Sequence, residues 1–132
     1  MNMISRDERK NQKGLKKFLN SFTYPVKGLK YAYRNEQNLA VDVGIGILVL
    51  IFGFIFRLTP GEWAVLVITI GLVIGMELVN TAIEATVDLV TEEYHPIAKV
   101  AKDTSAAAVF IIAIAAAVVG LIIFLPKVIA LF

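Results

Sequence analysis

An all-α integral membrane protein, built from an N-terminal amphipathic interfacial helix and three transmembrane helices, is the fold class that this chain of 132 residues predicts. Three observations carry that prediction. Hydrophobic residues make up 58% of the sequence, and the mean hydropathy of +0.74 is far above that of an ordinary soluble domain. The apolar residues are gathered into three long runs. Basic residues crowd ahead of the first of them.

The segment Met1 to Gly14 is polar and charged and lacks the apolar run and small-residue cleavage site of a signal peptide. From there Leu15, Phe18, Leu19, Phe22, Val26, Leu29 and Tyr33 fall on one helical face, with Lys16, Lys17, Lys27 and Lys30 among the intervening positions. This predicts a helix lying in the membrane interface, kinked or restarted at Pro25. Residues 1–36 form this cytoplasmic and interfacial part.

The first span is expected over 39–58, with Asp42 and Arg57 near the two interfaces because only Val43 to Phe56 is free of charge. Thr59-Pro60-Gly61 reads as a turn, and Trp63 as an interfacial anchor opening a second span over 63–90 that ends in a cytoplasmic extension. Residues 91–103 read as a cytoplasmic loop and 104–126 as a third span with no charge at all. Nine basic residues precede the first span, one lies between the first and second, two between the second and third, and one after. The positive-inside rule therefore places the N-terminus and the 91–103 loop in the cytoplasm and the C-terminus outside.

The second span carries the chemistry. Glu77, Asn80, Thr81, Glu84 and Asp88 recur at spacings of three and four, which puts them in one polar stripe on a helix that has just left an uncharged run. Ionisable residues at membrane depth are costly and mark functional sites. On another face Gly71 and Gly75 form a small-xxx-small pair suited to close helix packing, and the third span is rich in alanine. Three helices make too thin a bundle to shield several carboxylates from lipid, so association of subunits around the site is expected.

Oxygen ligands at the cytoplasmic lip, with Lys102-Asp103 returning from the next loop and Glu36 just before the first span, suit a divalent cation and a phosphate. The same residues would also serve as ion-paired packing groups or as a proton path. With no cysteine and a single histidine, thiolate metal sites and multi-histidine zinc sites are excluded. No GxxxxGK[ST] loop, soluble-kinase signature or HExxH is present.

The run Glu77-Leu78-Val79-Asn80-Thr81-Ala82-Ile83-Glu84 is followed by Asp88, then Glu93-Tyr94-His95-Pro96, Ala101-Lys102-Asp103 and Ala106-Ala107-Ala108-Val109. This pattern resembles the prokaryotic diacylglycerol kinase family, which includes the undecaprenol kinases of Gram-positive bacteria. The resemblance extends through Lys27-Gly28-Leu29 and Asn35-Glu36 to the Phe124-Leu125-Pro126-Lys127 ending. It implies an ATP-dependent lipid kinase of the bacterial cytoplasmic membrane, a homotrimer with sites shared between subunits. By position, Glu77 would be the general base toward the lipid hydroxyl and Asn80 would position groups near the transferred phosphate. Glu36 and Glu84 would hold the Mg2+ of Mg-ATP. Tyr24, Glu93, Tyr94, His95, Lys102 and Asp103 would surround the nucleotide, with Lys17 reaching its phosphates. Two departures stand out: Leu39-Ala40 where the family usually has an aromatic or basic pair, and Ala106 at a position that is often serine.

Asn80-Thr81, His95-Pro96 and the Leu-Pro-Lys ending most resemble the Gram-positive members, so undecaprenol is the expected substrate and diacylglycerol the alternative. No nucleic-acid partner is expected. A small non-enzymatic proton or cation channel is the competing class, in which Lys102-Asp103 would be simple loop charge.

Overall fold

The computed structural model describes residues 13–132. Arg6, Arg9 and Lys10, with most of the segment read above as lacking a signal peptide, lie outside the described residues. Every regular element among the described residues is helical. The chain divides into an amino-terminal unit ending at Asn35 and a second unit, Glu36–Phe132.

The first unit holds α1 (Gly14–Ser21) and α2 (Thr23–Asn35). The restart predicted at Pro25 is found, with the break itself at Phe22. A proline ring clashes with the carbonyl four residues earlier and offers no N–H, so the helix ends before it and Pro25 takes a place in the first turn of α2, where its N–H would be unpaired anyway. Leu15, Phe18, Leu19, Phe22 and Val26 are all exposed, and the rings of Phe18 and Phe22 meet edge to face at 5.2 Å. This is the apolar face the sequence assigns to a membrane interface.

The second unit holds α3 (Gln37–Ile55), α4 (Pro60–Val90) and α5 (Pro96–Ile129), each long and apolar enough to cross a membrane. The turn after α3 differs from the expected Thr59-Pro60-Gly61. Leu58 N–H donates to Gly53 O at 3.1 Å and Arg57 N–H to Phe54 O at 3.2 Å, with Arg57 left-handed at φ 54°; this pairing closes a helix end whose last carbonyls have no partner of their own. Thr59 then caps α4. Its hydroxyl accepts from Glu62 N–H at 3.3 Å while its own N–H donates to Glu62 Oε2 at 2.8 Å, and Pro60 occupies the first helical position, so α4 begins before Trp63.

The 91–103 loop is a correction of the same kind. Only Thr91–His95 lies outside helix, because Pro96 starts α5 and His95 Nδ1 accepts from Ile97 N–H at 3.2 Å. Lys99, Lys102 and Asp103 are therefore helical. At the other end α5 runs past Pro126 to Ile129.

Close packing is set by Gly46 and Gly53 rather than by Gly71 and Gly75. A Cβ on Gly46 would meet Ile70 at 3.3 Å and one on Gly53 would meet the Trp63 ring at 2.7 Å, whereas a Cβ on Gly71 or Gly75 would meet nothing within 4 Å. Among the described residues, the space beside Gly71 and Gly75 is thus open. Trp63 packs into α3, its ring 4.8 Å from that of Phe54. Leu58, Leu66 and Ile123 form the small buried core, with Val49, Ile70 and Phe124 against it.

Glu62 at the start of α4 pairs with Lys127 near the end of α5 at 3.0 Å, so the two helices are level there. At about 1.5 Å per residue α4 and α5 run to roughly 46 and 51 Å, well beyond a hydrocarbon core of about 30 Å. The surplus projects at the Val90/Pro96 end. A core measured from Trp63 reaches to about residue 82, which leaves Glu77 inside it and Asp88 beyond it.

Substituting Gly53→Ala pushes a methyl into the Trp63 ring, an overpacking cost of about 1–3 kcal/mol. The expected result is a lower thermal midpoint in detergent and a shifted emission of Trp63, the only tryptophan. Gly71→Ala is expected to leave the emission unchanged.

Candidate active site

The stripe on α4 is partly buried by its neighbours. Glu77 is 5% exposed and Thr81 and Ser105 are each 8% exposed, the three buried polar residues among those described. Thr81 Oγ1 donates to Glu77 O at 2.9 Å, an i−4 bond that keeps the hydroxyl satisfied within the helix. Asn80 Nδ2 donates to Glu84 Oε1 at 3.3 Å, and Asn80 Oδ1 accepts from Ser105 Oγ on α5 at 2.7 Å.

The third helix contributes acids. Glu36 stands at the N-cap position of α3, its side chain making no cap hydrogen bond, and is half-buried, as is Asp42 farther along the helix. Gly46 lies against Ile70 and Gly53 against Trp63, and continuing that antiparallel register brings the start of α3 level with Glu77. Glu36, Asp42 and Glu84 all lie within electrostatic reach of the Glu77 carboxylate. Carboxylates on α4 and on α3, with Glu36 just before it, thus act electrostatically on one buried acid. No cluster of three acidic or imidazole side chains among the described residues forms a ready metal cage, so a cation bound here would need ligands from outside this set as well.

Two cavities flank this cluster along α4. Toward the Trp63 end, an apolar cavity of about 350 Å³ lies among α3, α4 and α5; Val73, Ile74, Ala113 and Ala117 line it, and among the described residues Asp42 is the only ionisable one on its wall. Toward the Val90 end, a second cavity of about 340 Å³ is lined by Asp88, Glu93, Tyr94, His95, Lys102 and Asp103 among others. There Lys102 Nζ donates to Asp88 Oδ1 at 2.6 Å, and Lys99 is paired with Asp103. His95 Nδ1 is committed to the cap of α5, which leaves Nε2 for a ligand. Glu93 N–H donates to Thr91 Oγ1 at 3.2 Å, folding the short connection back on itself.

Of the residues singled out from the sequence, Glu36, Glu77, Asn80 and Glu84 gather at the cluster, and Glu93, Tyr94, His95, Lys102 and Asp103 gather around the polar cavity. Lys17 and Tyr24 stand on α1 and α2 in the amino-terminal unit, Lys17 exposed and Tyr24 half-buried. Two residues went unremarked as site candidates. Asp42 read as an interface residue, although its place on the face of α3 that carries Gly46 and Gly53 was a usable signal. Ser105 had none, because its partner is 25 positions away and is met only through the α4–α5 register.

Comparison with known sequences shows which family the chain belongs to. The family model for prokaryotic diacylglycerol kinase matches residues 23–124. The chain is 42% identical over 125 residues to the undecaprenol kinase of Bacillus subtilis, covering 95% of this chain and 99% of that protein. It is 40% identical over 112 residues to the diacylglycerol kinase of a Synechocystis species, 84% of this chain and 64% of that one. With the diacylglycerol kinase of Pseudomonas aeruginosa it shares 38% identity over 102 residues, 77% of this chain and 83% of the relative. A buried acid lying along α4 between an apolar and a polar cavity is thus found in a chain that belongs to the prokaryotic diacylglycerol kinase family, and the protein is a lipid kinase.

Proposed function

We propose that the protein transfers the γ-phosphate of Mg-ATP to the terminal hydroxyl of undecaprenol, giving undecaprenyl phosphate and ADP. The observation that carries this reading is the position of Glu77 along α4, buried between the apolar cavity that ends at Ile74 and the polar cavity that begins at Val87. A lipid hydroxyl entering from the first side and a triphosphate from the second meet at the cluster. The preference for undecaprenol rests on the undecaprenol kinase that matches nearly the full length of both chains.

In this reading the Glu77 carboxylate takes the proton of the lipid hydroxyl as its oxygen attacks the γ-phosphorus, and the bond from that phosphorus to the β–γ bridging oxygen breaks. The proton then leaves Glu77 for water. Asn80 lies one turn nearer the polar cavity, where its carboxamide holds Glu84 and faces the transferred group. Lys102 answers the charge of the phosphates, exchanging its bond to Asp88 for one to a phosphate oxygen. Glu93, Tyr94 and the Nε2 of His95 border the base and ribose, and Tyr24 and Lys17 are assigned to the nucleotide on the family resemblance alone.

Glu36 and Glu84 are hard oxygen donors of the type Mg2+ prefers. One oxygen of Glu84 is already held by Asn80 and the other is open, which fits a cation that takes one or two carboxylates along with substrate phosphates. When bound, Mg2+ neutralises charge on the β- and γ-phosphates. The small residues Gly71 and Gly75, beside which a Cβ would meet nothing within 4 Å, support a packing surface for another subunit, and the homotrimer with shared sites is what the family resemblance implies. The excess of basic residues before α3 supports a cytoplasmic N-terminus and active site and an external C-terminus.

Diacylglycerol is the second reading, favoured by the relatives named for it. The purified protein, given Mg-ATP with labelled γ-phosphate, is expected to label undecaprenol in clear excess over diacylglycerol. The reverse preference would leave the reaction intact and overturn the substrate, and label in neither lipid would reject both assignments.

Lys102→Met is expected to raise the KM for ATP about 10- to 100-fold, since a charge-assisted hydrogen bond to phosphate is worth about 1.5–3 kcal/mol, with the lipid KM within twofold. Steady-state kinetics in mixed micelles checks both. An unchanged KM for ATP would remove Lys102 from the nucleotide site.

A further inference from the structure

Ser105 lies outside every role assigned so far, yet it is one of the three buried polar side chains. Its hydroxyl sits 2.7 Å from Asn80 Oδ1 and 2.9 Å from Lys102 O, two acceptors for a single proton. The contact to Lys102 O is the ordinary i−3 bond of a helical serine. The contact to Asn80 crosses from α5 to α4, and it joins the amide to Glu84.

A carboxamide has one acceptor end and one donor end, and only one orientation suits these neighbours. With Oδ1 toward the Ser105 hydroxyl, Nδ2 points at Glu84 Oε1 and donates to it at 3.3 Å. Turned over, Asn80 would set its oxygen against a carboxylate oxygen. The Ser105 hydroxyl itself suits either end, since it can donate to Oδ1 or, bonded to Lys102 O, accept from Nδ2. The Glu84 carboxylate therefore selects the orientation, and the Ser105 proton given to Oδ1 holds the amide in it, with Nδ2 on Glu84 Oε1.

We propose that Ser105 is a positioning residue which, by locking the Asn80 carboxamide, orients Glu84 for the divalent cation. This rests on the reading above in which Glu84 is a cation ligand. Groups that orient a metal ligand from behind typically change metal affinity about 10- to 100-fold when removed. Because a neutral hydrogen bond acts here through one intermediary, the lower end applies.

The test is a titration of the full-length protein with Mn2+, followed by electron paramagnetic resonance in the presence of a non-hydrolysable ATP analogue, so that no turnover is required. Ser105→Ala is expected to raise the Mn2+ midpoint about tenfold, and Ser105→Thr, which keeps the hydroxyl, to restore it to within about threefold. In an Asn80→Ala background the further change Ser105→Ala is expected to add less than twofold, since its effect passes through Asn80. An unchanged midpoint in Ser105→Ala, or a full additional tenfold loss without Asn80, overturns the proposal. Lipid phosphorylation by the parent, run in parallel, separates the two levels. A parent that phosphorylates lipid beside an unaffected Ser105→Ala refutes the positioning role alone, and a parent with no saturable Mn2+ site refutes the cation role of Glu84 as well.

Discussion

Holding an acid inside a membrane-embedded helix is the constraint on which the rest of this structure depends. Placing a carboxylate at the centre of a spanning helix costs about 2.5–3.5 kcal/mol on insertion scales, and Glu77 stands within the stretch of α4 that a hydrocarbon core covers. The chain meets that cost by geometry. Glu77 is covered by protein rather than lipid, and it lies only two turns from Glu84, beyond which α4 projects out of the core. Polar neighbours are confined to its own stripe and to the starts of α3 and α5, so the apolar faces elsewhere stay continuous.

The register between α4 and α5 makes this arrangement possible. It is pinned at one end by the Glu62–Lys127 pair and at the other by Lys102–Asp88, with Ser105–Asn80 between them. Ion pairs exposed to water are worth little individually. Their consequence here is alignment, because a one-residue slip would rotate Ser105 away from Asn80 and Lys102 away from the polar cavity. The five-residue connection Thr91–His95, capped by His95 itself, leaves little slack for such a slip.

Much of this was legible in the sequence for physical reasons. The three spans follow from apolar runs of sufficient length, and the stripe from Glu77 to Asp88 follows from helical periodicity alone, since a single helix needs no partner to define its faces. What lay between helices was harder to read. The charge over 91–103 reads as loop, whereas Pro96 and the His95 cap begin a helix whose first turns stand clear of the lipid. Gly71 and Gly75 read as a packing pair, yet within the chain the glycines that meet another helix are Gly46 and Gly53, a pairing that depends on the positions of Ile70 and Trp63. Ser105 illustrates the limit most clearly: one hydroxyl beside a run of alanines has no periodicity, and its partner is fixed by a register that no local pattern encodes.

The central claim is that Glu77 acts on the proton of the lipid hydroxyl rather than holding the nucleotide or the fold. The most direct test is Glu77→Gln, a substitution that preserves shape and removes the charge, measured for single-turnover phosphoryl transfer and, on the same sample, for Mg-ATP binding. The account predicts a fall in transfer of about 10²–10⁴-fold, the range of a general base, with Mg-ATP affinity within about threefold of the parent. Transfer within tenfold of the parent, or loss of nucleotide binding in step with activity, would contradict it.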